Sequence, residues 1–315
     1  MKRFYFVIII SIVILLINDG AFSKEIEIGG DSPDAIKTIK VGIEAAKSGD
    51  TLRLLPGTYN EEIIIDKNLK LIGSDPKRTI IDSTNDGLAF LRPGYSVTIL
   101  GLTFKAAKYG ININKAETDA VIKNCIFTHC KNAIYFSDTS DIGLDNVKIS
   151  IENNTIVYCS GTAIYINGQY SKEEIIKIKG NIVAFNNGYG MFFNRIESPN
   201  MTHNNVYSNT NYNYYGYNEG GDSLSKDPLF VDEEGGNYVL LHNSPCKDKG
   251  PVGLESYTDP DGSPNDMGAY GGQASAPFWP YGGKGGGPVI TDLHVTPISV
   301  PKGHKITIKA KGTVQ

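Results

Sequence analysis

The chain has 315 residues, with 30 Lys plus Arg against 34 Asp plus Glu and a formal net charge of −4. This balance excludes the basic face of a nucleic-acid binder. With 35 Gly, 15 Pro and 20% charged residues, the composition also excludes a coiled coil, a collagen and a disordered tail. A turn-rich β protein remains, as two domains or as one long repeat domain.

At the amino terminus, Lys2 and Arg3 precede the apolar run 4–17, and Ala21-Phe22-Ser23 puts small residues at the −3 and −1 positions. A charged start, an apolar middle and a small-residue site predict a signal peptide over 1–23, with the mature chain starting at Lys24. The run falls short of the ~20 residues that a spanning helix needs. No later stretch is apolar enough to cross a bilayer. The mature protein is therefore expected to be secreted or held at the cell surface, with no membrane span, as a monomer.

Ser32-Pro33-Asp34 then reads as a helix start, with Ser32 as the cap and Pro33 in the first turn. Ile36, Ile39, Ile43 and Ala46 follow at helical spacing, and Ser48-Gly49 ends the helix. TLRLL (51–55), EEIII (61–65), LKLIG (69–73) and TIIDS (79–83) read as strands, with turns at Pro56-Gly57 and Asp75-Pro76. An amphipathic helix ahead of such strands can cover an open sheet end.

From residue 97 the chain repeats. VTILGLTFKAAKYGINI (97–113), AVIKNCIFTHCKNAIYF (120–136), SIENNTIVYCSGTAIYI (150–166), IKIKGNIVAFNNGYGMFF (176–193) and NMTHNNVYSN (200–209) share one pattern. It is an apolar-polar strand, then Gly or Asn, then a short apolar pair; all but the last add a second short strand. Gly101, Asn124, Asn154, Gly180 and Asn204 mark the bends. Helix-free repeats of this length predict an all-β solenoid, the right-handed parallel β-helix, in which no coil can bury its apolar face alone. Val97, Ile99, Val121 or Ile122, Ile149, Ile151, Ile134, Phe136, Ile164 and Ile166 are the expected inward residues. Asn124, Asn154 and Asn204 are expected to stack into a structural ladder. Cys125 falls at an apolar repeat position. Cys130 and Cys159 either bridge or stay as core thiols, and with Cys246 the four match no zinc spacing.

The stretch AIKTIKVGIEAAKSGDTLRLLPGTYNEEIIIDKNLKLIG resembles the first turns of the pectin-lyase-like β-helix superfamily. GTYNE (57–61) also resembles the start of pectin methylesterases. The Gln motif, the two Asp-bearing strand motifs and the Gly-Arg-Pro-Trp run of those esterases are absent, which removes the esterase reading. DPLFVDEEGGNYVLLHNSPCKDKG (227–250) followed by TDPDGSPNDMGAYGG (258–272) resembles the closing segment of secreted choice-of-anchor Q proteins. Lys247 and Met267 depart from that pattern. These resemblances imply the fold, export and surface display, and no single activity.

Lyases on this fold hold Ca²⁺ against a uronate with acidic side chains while a neutral Arg or Lys takes the α-proton. Arg195, with Asp138 and Asp141, is the candidate set for that chemistry here. Asp259, Asp261 and Asp266 supply oxygens around Gly262 and form a candidate Ca²⁺ loop, with plain turn chemistry as the alternative. Tyr212, Tyr214, Tyr215 and Tyr217 lie among Asn and Gly residues. They are candidates for stacking on sugars, since each ring offers an apolar face and a polar tip.

The Gly- and Pro-rich stretch 277–288 reads as a linker. Residues 289–315 read as the first hairpin of an incomplete immunoglobulin-like module, because so short a piece cannot bury a sandwich core. The β-helix with its helical cap and closing segment accordingly spans 24–276. With no recognisable catalytic set, the expected role is an exported, surface-associated scaffold or a protein contacting polysaccharide or another cell-envelope component. A Ca²⁺-dependent polysaccharide lyase or uronan epimerase acting on acidic glycans, and a purely structural envelope repeat, are the alternatives.

Overall fold

The computed structural model of the protein describes residues 23–90, 94–113, 118–137, 148–170, 176–196, 199–253, 258–281, 289–296 and 307–313. The predicted signal peptide up to residue 22 lies outside them, as do Asp138, Asp141 and residues 282–288 of the predicted linker.

The chain winds as a right-handed parallel β-helix. Its coils build three sheets, A, B and C, of eight, seven and seven strands, and each coil visits them in that order. Strand Asp119–Lys123 of sheet A, Ile126–Thr128 of sheet B and Asn132–Ser137 of sheet C form one such coil. Every pairing within these sheets is parallel and links one coil to the next, as in Ala120↔Ile149 and Ile134↔Ile164. The inward row is aliphatic: Val97, Ile99, Ile122, Ile151 and Ile178 on sheet A, with Ile111, Ile134 and Ile164 on sheet C, are all fully buried. Val121 is 37% exposed, so Ile122 is the inward member of that pair. Burying one such side chain is worth about 1.5–3 kcal/mol.

The bends are left-handed single residues. Between sheets A and B they are Gly101, Asn124, Asn153, Gly180 and His203, with φ from 50° to 67°. Between sheets B and C they are Ala106, His129, Tyr158, Phe185 and Ser208, with φ from 53° to 58°. Each bend is followed by an inward residue, and these stack. Cys125, Asn154, Asn181 and Asn204 form one column, in which each Asn Oδ1 accepts from the preceding member's backbone N–H at 2.9–3.0 Å. Cys159, Asn186 and Asn209 form a second column at the other corner, joined at 2.9 and 3.3 Å. The ladder therefore differs from the one expected. Asn124 is a bend residue, one position ahead of the column, and Asn181 takes part in its place. Asn suits both the left-handed bend and the buried ladder, so the two positions look alike in sequence.

The amino-terminal helix is shorter than its spacing suggests. It covers Ile39–Ala45, and Thr38, not Ser32, is its N-cap. The carboxylate of Glu61 accepts from the N–H groups of Ile39 and Lys40 at 2.8 and 3.0 Å, so the first turn is held by a residue from the next coil. Ile39 and Ile43 are buried against the first coil. The helix lies ahead of the first strands of sheets B and C, where an earlier coil would otherwise sit. Sheet A begins one strand sooner than expected, at Glu25–Ile28.

After the last coil the chain turns back along the solenoid. Hairpin Phe230–Asp232/Asn237–Leu240 and residues 244–253 and 258–281 pack on the outer face of sheet B. Ile126, Val157, Ile182 and Ala184 point out from that sheet and are covered by Phe230, Tyr238, Leu240, Cys246, Met267, Ala269 and Tyr270. Residues 277–281 of the predicted linker belong to this packing: the Tyr281 hydroxyl accepts from Leu240 N–H and donates to its carbonyl, both at 2.9 Å. Strands Val289–Thr296 and Thr307–Thr313 pair antiparallel, which gives the expected carboxy-terminal hairpin.

Candidate functional site

The returning segment decides which surfaces remain open. Bend residues Asn124 and Asn153 hold it in place. Asn124 Nδ2 donates to the carbonyls of Ala269 and Gly271 at 3.0 and 2.7 Å. Asn153 Nδ2 donates to Asn265 Oδ1 and to the Asp266 carbonyl at 3.0 and 2.8 Å. The A–B corner and much of sheet B are thereby covered, and the outer faces of sheets A and C are left.

Sheet C carries the aromatic rings. Tyr135, Tyr165, Phe192 and Tyr215 occupy one register row of successive coils. Their rings stack nearly parallel, with centroids 4.7, 5.1 and 4.8 Å apart. Within the row each ring uses its faces on its neighbours, which is packing and leaves mainly edges for solvent. The end of the row is different. Tyr215 lies on the edge strand Tyr214–Tyr215, so Phe192 covers one face and, among the described residues, no further strand of sheet C covers the other. Tyr189 meets it edge-on at 5.3 Å, and Tyr212 stacks on Tyr189 at 6.2 Å. Tyr212 is 61% and Tyr215 48% exposed. Tyr217 is also exposed, and with Gly216 and Asn218 these rings line a shallow hollow. Tyr214, the fourth candidate, turns inward against the core, and burial pushes its phenol well up from the usual tyrosine range.

Beside this row runs a second one of amides. Asn194 Nδ2 donates to Asn167 Oδ1 at 2.8 Å, and Asn167 Nδ2 donates to Ser137 Oγ at 3.3 Å. Arg195 follows Asn194 and is exposed, with φ 62°, opposite the register shift between Asn167 and Tyr170. Asp138 and Asp141 lie outside the described residues. Their chain leaves sheet C at Ser137, two strands from Asn194.

The candidate Ca²⁺ loop is divided. Asp259 is fully buried, and its carboxylate accepts from Gly272 N–H at 2.6 Å and from Asp266 N–H at 3.0 Å. Asp266 accepts from Asp248 N–H at 2.8 Å and faces Lys247 Nζ at 3.8 Å. Asp261 does not join them. It is exposed and binds its own turn through Ser263. Burial, aided by the charge of Asp266, pushes the Asp259 carboxyl up to about 8, against the pull of its two N–H donors. Burial pushes Asp266 up to about 6.

A raised native pKa means that the folded state holds more protons than the unfolded one. The stability that Asp259 contributes is thus fully present below about pH 4 and is lost as pH rises to about 8. The melting temperature is expected to drop between about pH 5 and about pH 8.5, and Asp259→Asn should flatten that drop. Parallel pH profiles for the two proteins would sink the assignment.

The family described as periplasmic copper-binding proteins (NosD) matches residues 43–231, more than half of the chain. The chain belongs to the NosD family. No curated protein matches it. Among solved structures, an alginate lyase of the PL6 family is similar at 15% identity and a TM-score of 0.39, over 65% of this chain and 35% of that one. The chain thus spans about a third of that lyase's length. A pectin methylesterase variant in complex with a hexasaccharide is similar at 12% identity and a TM-score of 0.23, over 57% of this chain and 82% of that one.

The described residues of this NosD member do not suit copper. That metal is bound by gathered imidazole, thiolate or thioether donors. Among the described residues no three His, Cys, Asp or Glu side chains come together to hold a metal ion. All four cysteines are buried thiols without a disulfide, and burial pushes Cys125 and Cys246 up to about 12, which keeps them neutral. His129 stacks on Tyr158, and His203 faces Asp222 at another corner.

Proposed function

We propose that this NosD member is an exported, surface-associated β-helix protein that contacts polysaccharide through the aromatic end of sheet C. Export is supported by the charged-then-apolar amino terminus and by the periplasmic description of the family. The observation that carries the contact is the open face of Tyr215, with Tyr212 and Tyr217 around it. A flat amphipathic ring of this kind takes the apolar face of a sugar while its hydroxyl and nearby amides take sugar hydroxyls.

Affinity electrophoresis against envelope polysaccharides tests the reading. Two rings at about 1 kcal/mol each correspond to about thirtyfold weaker retention for Tyr212→Ala/Tyr215→Ala. Unchanged retention, or no retention of the unmodified protein by any glycan, would leave the purely structural role.

The exposed Arg195 beside the register shift of sheet C supports a second reading, a lyase or epimerase for acidic glycans. It requires ultraviolet-absorbing unsaturated product, or a change in uronate configuration, that depends on Ca²⁺ and is lost in Arg195→Ala.

A further inference from the structure

One glycine opens the aromatic end of sheet C. Pairing with strand Met191–Ile196 covers Tyr214 and Tyr215 and stops there. Gly216 then takes φ +80°, and a Cβ on it would collide with the Phe193 carbonyl, so only glycine fits the turn. The chain swings off the sheet, and Tyr217 comes to rest edge-on against Phe193 at 6.2 Å. Gly220 is pressed on the Met201 carbonyl, where a Cβ would also collide. The segment from 216 to 220 is therefore anchored at both ends, and its rings stand in place before any ligand arrives.

The walls of the hollow carry no charge. Tyr212, Tyr214, Tyr215, Gly216, Tyr217 and Asn218 enclose about 550 Å³, within the range of ligand sites. Four phenols and one amide offer apolar faces, donors and acceptors, and none of these described residues supplies a cation. Arg195, two residues beyond Phe193 on the neighbouring strand, is not part of the lining. The first ionised side chain past the lining is Glu219, exposed between Asn218 on the hollow and the anchored Gly220. Its field reaches the rings: burial pushes the Tyr214 phenol up first, and the negative charge of Glu219 adds to that push.

We propose that the hollow selects an uncharged glycan, a polymer of neutral hexose or N-acetylhexosamine units, and that Glu219 is the residue that turns acidic glycans away. This rests on the reading that the aromatic end contacts polysaccharide, and it names the class. A neutral sugar gives its apolar face to a ring and its hydroxyls to phenols and amide. A carboxylate must leave water, which costs affinity unless a cation receives it, and the lining holds none. Glu219 adds a like charge at the rim, and like charges across an interface suppress the wrong partner more than they weaken the right one.

Affinity electrophoresis of the mature protein tests it, with mixed-linkage β-glucan, galactomannan and glycol chitin against alginate and polygalacturonate. The comparison is made on the part of the retention that Tyr212→Ala/Tyr215→Ala loses, which discounts polyanion held on other faces. At least one neutral polymer is expected to be held by that part at least tenfold more strongly than either polyanion. Its retention should not change as salt is raised, because no charge takes part. Glu219→Gln should narrow the ratio of neutral to acidic retention about threefold, the size of one exposed charge effect. Equal or stronger tyrosine-dependent retention by alginate or polygalacturonate would overturn the selection and leave the glycan contact standing. Neutral retention that falls with salt, or a ratio unmoved by Glu219→Gln, would also overturn it. Retention by none of the five polymers would remove the glycan contact itself, and this inference with it.

Discussion

Asn181→Ala is expected to destabilise the solenoid by about 4 kcal/mol, because it orphans several buried polar groups at once, each costing about 1–3 kcal/mol. Asn181 Oδ1 accepts from Asn154 N–H at 2.9 Å and from Asn154 Nδ2 at 3.0 Å. Its Nδ2 donates to the Ile151 carbonyl at 2.8 Å and to Asn204 Oδ1 at 3.0 Å. All of these groups are sealed inside the coil, where water cannot replace the lost partner. A domain is typically stable by about 5–15 kcal/mol, so the loss is a large share of the total. Asn194→Ala is the control. It breaks an amide ladder of similar form on the exposed face of sheet C, at 2.8 Å to Asn167, and should cost no more than about 1 kcal/mol. Urea unfolding of the two variants beside the unmodified protein measures the difference. Equal midpoints for Asn181→Ala and Asn194→Ala would show that the buried column does not hold the coils.

The same column shows how much of the fold could be read from the residues. Aliphatic alternation at a repeat of this length is enough to give the coil, its inward face and the strands of sheets A and C, since only stacked coils bury those rows. The bend and the ladder were harder to separate. Asn153-Asn154 offers Asn at both positions, Asn124 is a bend and Asn204 a ladder residue, so a single anchor per repeat merges two physical demands. The second column, Asn186 and Asn209, carried a usable signal in Cys130, Cys159, Asn186 and Asn209, which recur five residues after Cys125, Asn154, Asn181 and Asn204. In the candidate site, the tyrosine cluster was legible by composition, but not the inward turn of Tyr214, which depends on its alternation within a two-residue edge strand. The hollow on the outer face of sheet B, lined by Lys77, Lys105, His129 and Glu234, left no local trace. Its residues come from four distant stretches that meet only because the hairpin folds back on sheet B.

Gly268→Ala is expected to release that returning segment while the coils stay wound. Gly268 has φ +92°, and its N–H donates to the Gly180 carbonyl at 2.7 Å. A Cβ there would stand 2.8 Å from Ile182 Cδ1 and 2.9 Å from Thr155 Oγ1, both part of the sheet it rests on. The left-handed strain costs about 1–3 kcal/mol, and pushing the backbone off the sheet costs about 1–3 kcal/mol more. The next residue shares the loss, since Ala269 N–H donates to Thr155 Oγ1 at 3.0 Å. Trp279, the only tryptophan, sits at the end of this segment with its indole 5.0 Å from the Tyr281 ring, so its emission reports the docking. The variant should show red-shifted emission and faster proteolysis between residues 247 and 281, with far-ultraviolet dichroism of the coils unchanged. Release would also bare Ile126, Val157, Ile182 and Ala184, an apolar strip running across successive coils. Such a strip is a ready surface for self-association, so the variant should oligomerise in proportion to its emission shift. If emission and dichroism instead shift together at one denaturant concentration, the segment and the coils are one cooperative unit, and the strap is as much a part of the solenoid as the ladder inside it.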